Sequence, residues 1–337
     1  MDNMIINSLE QENVFMNKTV RSIMKCNVAC IGGAGFIGSH LVNYLVDELE
    51  CNVIVLDNLI TGQKKFVNKK AKFIWCDITH SEEQLKRIFT EYKIEYIFNY
   101  SAEPYIPVSF ARPLHVFDIN ARGALMVINA GTEAGVKAIL QVSSAEIYGD
   151  APEHKIDEEY KATPHSTYGA SKLAIDSLVQ CRWREAKAPV IALRQFNCVG
   201  ERETHEYIIP VIIEQLTKSN KIKLGNNSFR DFQYAGDAVR MAVELLEKGN
   251  FGEVYNMGSE EGVKMYDLAQ MIGKIMGYET VEIEVDPTRV RPWEIWHLQS
   301  DNSKLYKTIT KRPEVSLEEA LKRTVEDYKL NGWSYEI

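Results

Sequence analysis

Residues 27–42 read Asn-Val-Ala-Cys-Ile-Gly-Gly-Ala-Gly-Phe-Ile-Gly-Ser-His-Leu-Val. An apolar, strand-like run enters a glycine-rich turn and leaves it as a helix that begins near Phe36. Gly32, Gly35 and Gly38 stand in a G-x-x-G-x-x-G spacing. The turn must be tight, the backbone must come close to a pyrophosphate, and the helix must pack on the strand. Each need favours a residue without a Cβ. The new helix aims its N–H groups and the positive end of its dipole at the phosphates. A glycine triplet alone is equally a structural turn. Here the next strand-like run ends in Leu56-Asp57-Asn58, about 20 residues on, where an acid accepts the ribose hydroxyls of a dinucleotide. A carboxylate there repels a 2′-phosphate, so the reading is NAD rather than NADP. Asp77, just past another strand end, is placed to meet the adenine amino group, or else is a solvated helix-start residue.

From residue 26 onward short β-branched runs alternate with amphipathic helical stretches. The strand-like runs are 27–31, 52–56, 72–75, 96–99, 138–143 and 190–194; the helical ones include 39–50, 82–92, 121–134 and 168–185. Strands separated by helices imply parallel βαβ units, and continuous apolar strands imply a sheet covered on both faces. After about residue 200 the alternation loosens. Helical stretches are expected at 211–218, behind Pro210, and at 237–248, 266–277 and 317–331, with an aromatic run at 229–234. The expected organisation is an N-terminal extension (1–24), a dinucleotide-binding domain carrying the catalytic residues (25–200) and a smaller, mainly substrate-binding α/β lobe (201–337).

Composition excludes some classes. A formal charge of −8 argues against a nucleic-acid partner. No apolar run reaches the roughly 18 residues of a membrane span, and residues 1–24 lack the apolar core of a signal peptide. The six cysteines form no C-x-x-C pair and fit reduced thiols in a cytoplasmic protein. No clustered ligands suggest a metal site.

The second chemical signal is Tyr168-Gly169-Ala170-Ser171-Lys172 at the start of a helix. Residues i and i+4 share a helix face, so phenol and ammonium point into one space. A phenol near pKa 10 is a poor base at pH 7 unless a nearby cation stabilises the phenolate. Lys172 can also hold the nicotinamide ribose. A Tyr/Lys pair is common on exposed helices. What lifts this one is Ser143-Ser144 at a strand end about 25 residues earlier, where a serine reaches the same sugar hydroxyl as the tyrosine.

Together these features resemble the extended short-chain dehydrogenase/reductase family, the nucleotide-sugar epimerases and dehydratases. The resemblance covers nearly all of 26–330. It is carried by Gly32–Gly38, Asp57–Gly62, Ser144, Tyr148-Gly149, Tyr168/Lys172, Arg194-Gln195-Phe196-Asn197, Arg230-Asp231-Phe232 and Arg291-Pro292. It implies an α/β fold with a Rossmann-like doubly wound parallel sheet, a smaller C-terminal substrate lobe, and a homodimer. It adds Phe36, Ile37, Asn58, Ile78 and Ala102 to the NAD contacts, and assigns Asn197, Arg230 and Arg291 to a nucleotide-diphosphate sugar. Guanidinium forks match phosphate oxygens. In the family's chemistry Tyr168 takes the 4-hydroxyl proton while C4 is oxidised by NAD, and a 4-keto sugar follows.

Ser144-Ala145-Glu146 should decide what happens next. The family's 4,6-dehydratases carry acids in this segment that take the C5 proton and help the 6-hydroxyl leave; its 4-epimerases commonly read Ser-Ala-Thr. Ala145 is epimerase-like and Glu146 dehydratase-like. A carboxylate in a largely apolar pocket is costly unless used or paired. The loop Tyr105–Phe110 and Arg291–Ile295 tilt the reading to a 4,6-dehydratase of a UDP- or GDP-linked hexose. A 4-epimerase ranks second, then a uronate decarboxylase or 4-keto reductase, and last a non-catalytic NAD-binding regulator. Glu103 and Gly200-Glu201-Arg202 depart from the family's usual residues near the expected cleft.

Overall fold

A computed structural model describes residues 21–149, 151, 154–203, 207–291 and 293–332. The six apolar runs become strands β1 (Asn27–Ile31), β2 (Asn52–Asp57), β3 (Lys72–Trp75), β4 (Tyr96–Asn99), β5 (Ala138–Ser144) and β6 (Val190–Gln195). Later strands are β7 (Asn197–Val199), β8 (Lys221–Leu224), β9 (Phe229–Tyr234), β10 (Val254–Met257), β11 (Gly262–Lys264), β12 (Glu282–Val285) and β13 (His297–Leu298). One seven-stranded sheet runs in the order β10-β6-β5-β4-β1-β2-β3. Its neighbours all pair in parallel. The strand order reverses between β1 and β4, and a sheet of this kind opens a crevice beyond the strand ends at that point.

Alternate residues of each strand feed opposite faces. Val28 and Cys30 of β1 join a core covered by the helices Phe36–Asn43 and Ala235–Lys248. Ala29 and Ile31 join a core covered by Glu82–Glu91, Gly123–Glu133 and Thr167–Ala186. This two-sided burial is why the strands read as unbroken apolar runs rather than alternating ones.

A smaller sheet joins β11, β9 and β13, with β7 pairing β9, and β12 pairs β8 beside it. Its core is formed by the helices Ile208–Leu216, Met265–Ile275 and Leu317–Asn331. The first of these starts ahead of Pro210 rather than behind it. A proline in the first turn costs little because the N–H it lacks has no acceptor within the helix.

Residues beyond 200 contribute to both sheets. The helix Ala235–Lys248 covers the large sheet, and β10 forms its edge. Of the expected extension 1–24, residues 1–20 lie outside the described residues. The rest does not stand apart. Ile23 is fully buried in the large core, its N–H donates to Glu247 Oε1 at 3.0 Å, and Arg21 lies 4.3 Å from the centre of the Phe251 ring. No described helix is long and apolar enough to cross a membrane.

Candidate active site

The glycine turn leaves no room for side chains. Gly32 has φ +77°, and a Cβ there would lie 2.7 Å from the Ser101 nitrogen. A Cβ on Gly38 would overlap the Gly32 carbonyl oxygen, so the helix can seat this deeply only with glycine at 38. The helix begins at Phe36 with Gly35 at its cap position, and no side chain caps it. Its first N–H groups are therefore presented to the crevice, ready for phosphate oxygens.

Asp57 closes this cradle. Its Oδ2 accepts from the Ala34 N–H at 3.0 Å and its Oδ1 from the Leu59 N–H at 2.8 Å. Burial raises its pKa, and those two bonds oppose the rise. Asp77 accepts from Thr79 N–H at 2.8 Å and from Asn58 Nδ2 at 3.3 Å, which ties the two adenine-side candidates together. Gly32, Gly35, Phe36, Ile37, Gly38, Asp57, Asn58, Asp77, Ile78 and Ala102 all line one cleft of about 780 Å³. The glycine cradle, the uncapped helix and the ribose-side acid fit a dinucleotide.

The same cleft is lined by Ser144, Glu146, Tyr168, Lys172, Asn197, Arg230 and Arg291. The structure thus brings together every site residue expected from the sequence. Ser166 caps the helix Thr167–Ala186 by accepting from the Gly169 N–H at 3.0 Å, which puts Tyr168 in its first turn. Ser144 ends β5, and its Oγ accepts from the Glu146 N–H at 3.2 Å. Its hydroxyl proton is thereby left for the phenol or a ligand.

Burial pushes the Tyr168 phenol up to about 12; a hydrogen bond with Ser144 opposes this, and the charges of Glu146 and Glu103 reinforce it. Burial also lowers Lys172 to about 8, against the pull of Asp176. The ammonium donates to the Val142 carbonyl at 3.1 Å and lies 5.8 Å from the phenol ring centre. Tyr and Lys share a face as the spacing predicts, yet in the protein alone burial outweighs any help the cation gives the phenolate.

Behind these groups stands a buried scaffold in which the motif residues Arg194 and Tyr148 meet partners that no motif marks. Arg194 pairs with Asp176 at 2.8 Å and donates to the Tyr148 hydroxyl at 2.8 Å, which in turn donates to Asn256 Oδ1 at 2.7 Å. Asn120 accepts from the Glu103 N–H at 2.8 Å and donates to Ser171 at 3.0 Å. The Arg194–Asp176 pair thus ties the helix Thr167–Ala186 to β6.

The two expected diphosphate arginines are not free cations. Buried Arg230 pairs with Glu294 at 3.1 Å, and Arg291 Nη1 stands 4.0 Å from Glu146 Oε1. Glu294 also accepts from Asn226 at 2.9 Å. Burial lowers the pKa of Arg230, opposed by Glu146 and Glu294. Two arginines and two carboxylates make this wall nearly neutral. A diphosphate would have to draw the guanidiniums away from their partners.

A family model described as GDP-mannose 4,6 dehydratase matches residues 30–324. The chain is 32% identical to a dTDP-D-glucose 4,6-dehydratase of Mus musculus over 317 residues, 90% of this chain and 89% of that one. It superposes on a UDP-glucose 4-epimerase of Thermotoga maritima, solved with UDP-glucose, with a TM-score of 0.83 at 28% identity, covering 90% of this chain and 99% of that one. A dTDP-glucose 4,6-dehydratase of Streptomyces venezuelae, solved with NAD, superposes with a TM-score of 0.83 at 26% identity, covering 92% and 99%. The chain belongs to the extended short-chain dehydrogenase/reductase family of NAD-dependent nucleotide-sugar epimerases and dehydratases, and its cofactor is NAD.

Proposed function

We propose that this member of the family is a 4,6-dehydratase of a hexose linked to UDP or GDP, acting through a 4-keto intermediate. The observation that carries the reading is Glu146. Its carboxylate lines the cleft at the end of β5, two residues from Ser144 and within electrostatic reach of the Tyr168 phenol. An epimerase needs no acid there; an elimination does.

The residues take these roles. Tyr168 accepts the proton of the sugar's 4-hydroxyl, and Ser144 hydrogen-bonds the same oxygen. Lys172 holds the nicotinamide ribose. Oxidation at C4 uses bound NAD as a temporary two-electron acceptor, and the pair returns to the sugar at C6. The C4 ketone acidifies the C5 proton. Glu146 takes that proton and returns one to the departing 6-hydroxyl, so that one water leaves; C5 then regains a proton and Tyr168 gives up the one it took. Asn197, Arg230 and Arg291 receive the diphosphate.

One feature favours the 4-epimerase as the second reading. Ala145 leaves Glu146 without the companion acid that the family's dehydratases often carry. The protein is further expected to be a cytoplasmic homodimer. Phe110, Leu114 and Phe117 leave apolar side chains exposed on the short helices beside the catalytic one.

Mass spectrometry of the purified protein incubated with UDP-, GDP- and dTDP-hexoses, N-acetylhexosamines and uronates tests the reading. Loss of one water is expected. An isomer of unchanged mass supports the epimerase, and loss of carbon dioxide a decarboxylase. No turnover of any sugar, with NAD bound, would leave a regulator.

A further inference from the structure

An elimination needs two proton transfers at different atoms. One proton leaves C5, and one must reach the oxygen on C6 before that oxygen can depart as water. The mechanism above routes both through Glu146, because Ala145 offers no acid beside it. The cleft holds other carboxyls. Asp57 and Asp77 have both oxygens bonded by neighbouring groups. Glu294 is bonded at one oxygen by Arg230 and at the other by Asn226. Glu203 has its Oε2 fully enclosed. Glu103 differs from these. It is 6% exposed and lines the cleft, and its Oε1 accepts from the Tyr105 N–H at 3.3 Å. Its Oε2 meets no described residue and is not enclosed by protein.

The fold fixes this carboxyl in the corner that holds the catalytic phenol. Asn120 grips Glu103 at both backbone groups, accepting from its N–H at 2.8 Å and donating to its carbonyl at 3.3 Å. The same amide donates to Ser171 Oγ at 3.0 Å, and that hydroxyl donates to the Tyr168 carbonyl at 2.7 Å. One side chain thus joins Glu103 to the catalytic helix. Three residues on, Ile106 opens a short helix and packs against Tyr168 together with Val116.

We propose that Glu103 is the acid of the elimination: it gives the proton that the departing 6-oxygen takes, while Glu146 holds the C5 proton. The inference rests on the dehydratase reading. C4, C5 and C6 are consecutive carbons, so an acid that serves the 6-oxygen must stand near the phenol that serves the 4-oxygen. Glu103 has an oxygen open there. The C5–H electron pair becomes the C5–C6 double bond as the bond from C6 to oxygen breaks, and that oxygen leaves as water with the proton from Glu103. The electron pair taken from C4 then enters at C6, C5 regains a proton, and the proton taken by Tyr168 replaces the one Glu103 gave. Burial raises the pKa of Glu103, opposed by the Tyr105 N–H and by the charges of His115 and Arg112. That balance suits a group that must begin protonated.

Leaving-group chemistry tests the assignment. The nucleotide hexose that loses water with wild-type protein is compared with its 6-deoxy-6-fluoro analogue, from which fluoride departs without a proton and the sugar product is the same. In Glu103→Gln, with NAD bound, loss of water is expected to slow by about 10²–10⁴-fold, the usual span for a general acid, while fluoride release stays near the wild-type rate. In Glu146→Gln both reactions should stop, because neither proceeds without removal of the C5 proton. Glu103→Asp keeps the acid one methylene further back. It should recover part of the water reaction with fluoride release intact, and it serves if the glutamine variant does not hold NAD. Loss of water from Glu103→Gln at the wild-type rate would overturn the role. So would an equal fall in both reactions, which would make Glu103 structural. Wild-type protein that removes water from no hexose would refute the dehydratase reading itself, a result separate from any effect at position 103.

Discussion

The two walls of the cleft are built on different principles. The dinucleotide wall is made largely of backbone and short side chains: Gly32, Gly35, Gly38, the uncapped helix and Asp57 at the end of β2. Its geometry is set by sheet register and cannot drift without unpacking the core. The opposite wall is made of long side chains, Arg230, Glu294, Arg291 and Glu146, brought together from separated segments and held mainly by one another. The first wall is preorganised for one ligand that never needs to change. The second is a charge-balanced set that a diphosphate bound there would have to rearrange. A rigid cofactor side and an exchangeable substrate side suit a family in which one fold serves several sugars and several outcomes.

Breaking the shared centre should have the largest effect. Tyr168→Phe should lower kcat/KM by about 10²–10⁴-fold, the usual span for a general base, with NAD still bound; turnover near wild type would remove the tyrosine from the mechanism. Next in size is Glu146→Gln, expected to stop loss of water while C4 oxidation persists as enzyme-bound reduced nicotinamide absorbance. Product formation at the wild-type rate would make Glu146 structural. On the rigid wall, Asp57→Ala should weaken NAD by about tenfold and relax rejection of NADP, read as the ratio of the two dissociation constants.

On the adjustable wall, Glu294→Gln should lower thermal stability by about 1–3 kcal/mol, because buried Arg230 loses its partner. The same change should tighten sugar-nucleotide binding, since the guanidinium no longer has to leave a carboxylate. Unchanged affinity would show that Arg230 does not meet the diphosphate. The smallest effect concerns pH. Lys172 falls from an ordinary value of 10.5 to about 8 on burial. Between those values the unfolded chain holds a proton that the folded chain has released, so this residue makes stability rise with pH across that window. In Lys172→Met that rise should flatten; an identical pH profile would contradict the burial of an ammonium there.

The same contrast explains what could be read beforehand. The six apolar runs became strands with ends shifted by at most one residue, because burial on both faces makes each run continuous. The strand β10 escaped notice because Asn256 interrupts its four residues, and that asparagine is satisfied by Tyr148 and the Ile156 carbonyl, neither near it in sequence. Ile23 looked like part of a polar extension, and only the folded core shows it fully buried. The glycine cradle and Asp57 could be placed on one cleft from the sequence because their spacing is local. The pairing of Arg230 with Glu294, 64 positions apart, could not be read, and arginine alone reads as a phosphate ligand.

The central claim is that Glu146 turns a C4 oxidation into an elimination. Running the reaction in heavy water with the preferred nucleotide hexose and weighing the product tests it most directly. Removal of the C5 proton by Glu146 predicts a product lighter by one water and carrying one carbon-bound deuterium at C5. An isomer of the substrate with no deuterium on carbon would mean that C5 is never deprotonated, and that Ala145 rather than Glu146 marks what this enzyme does.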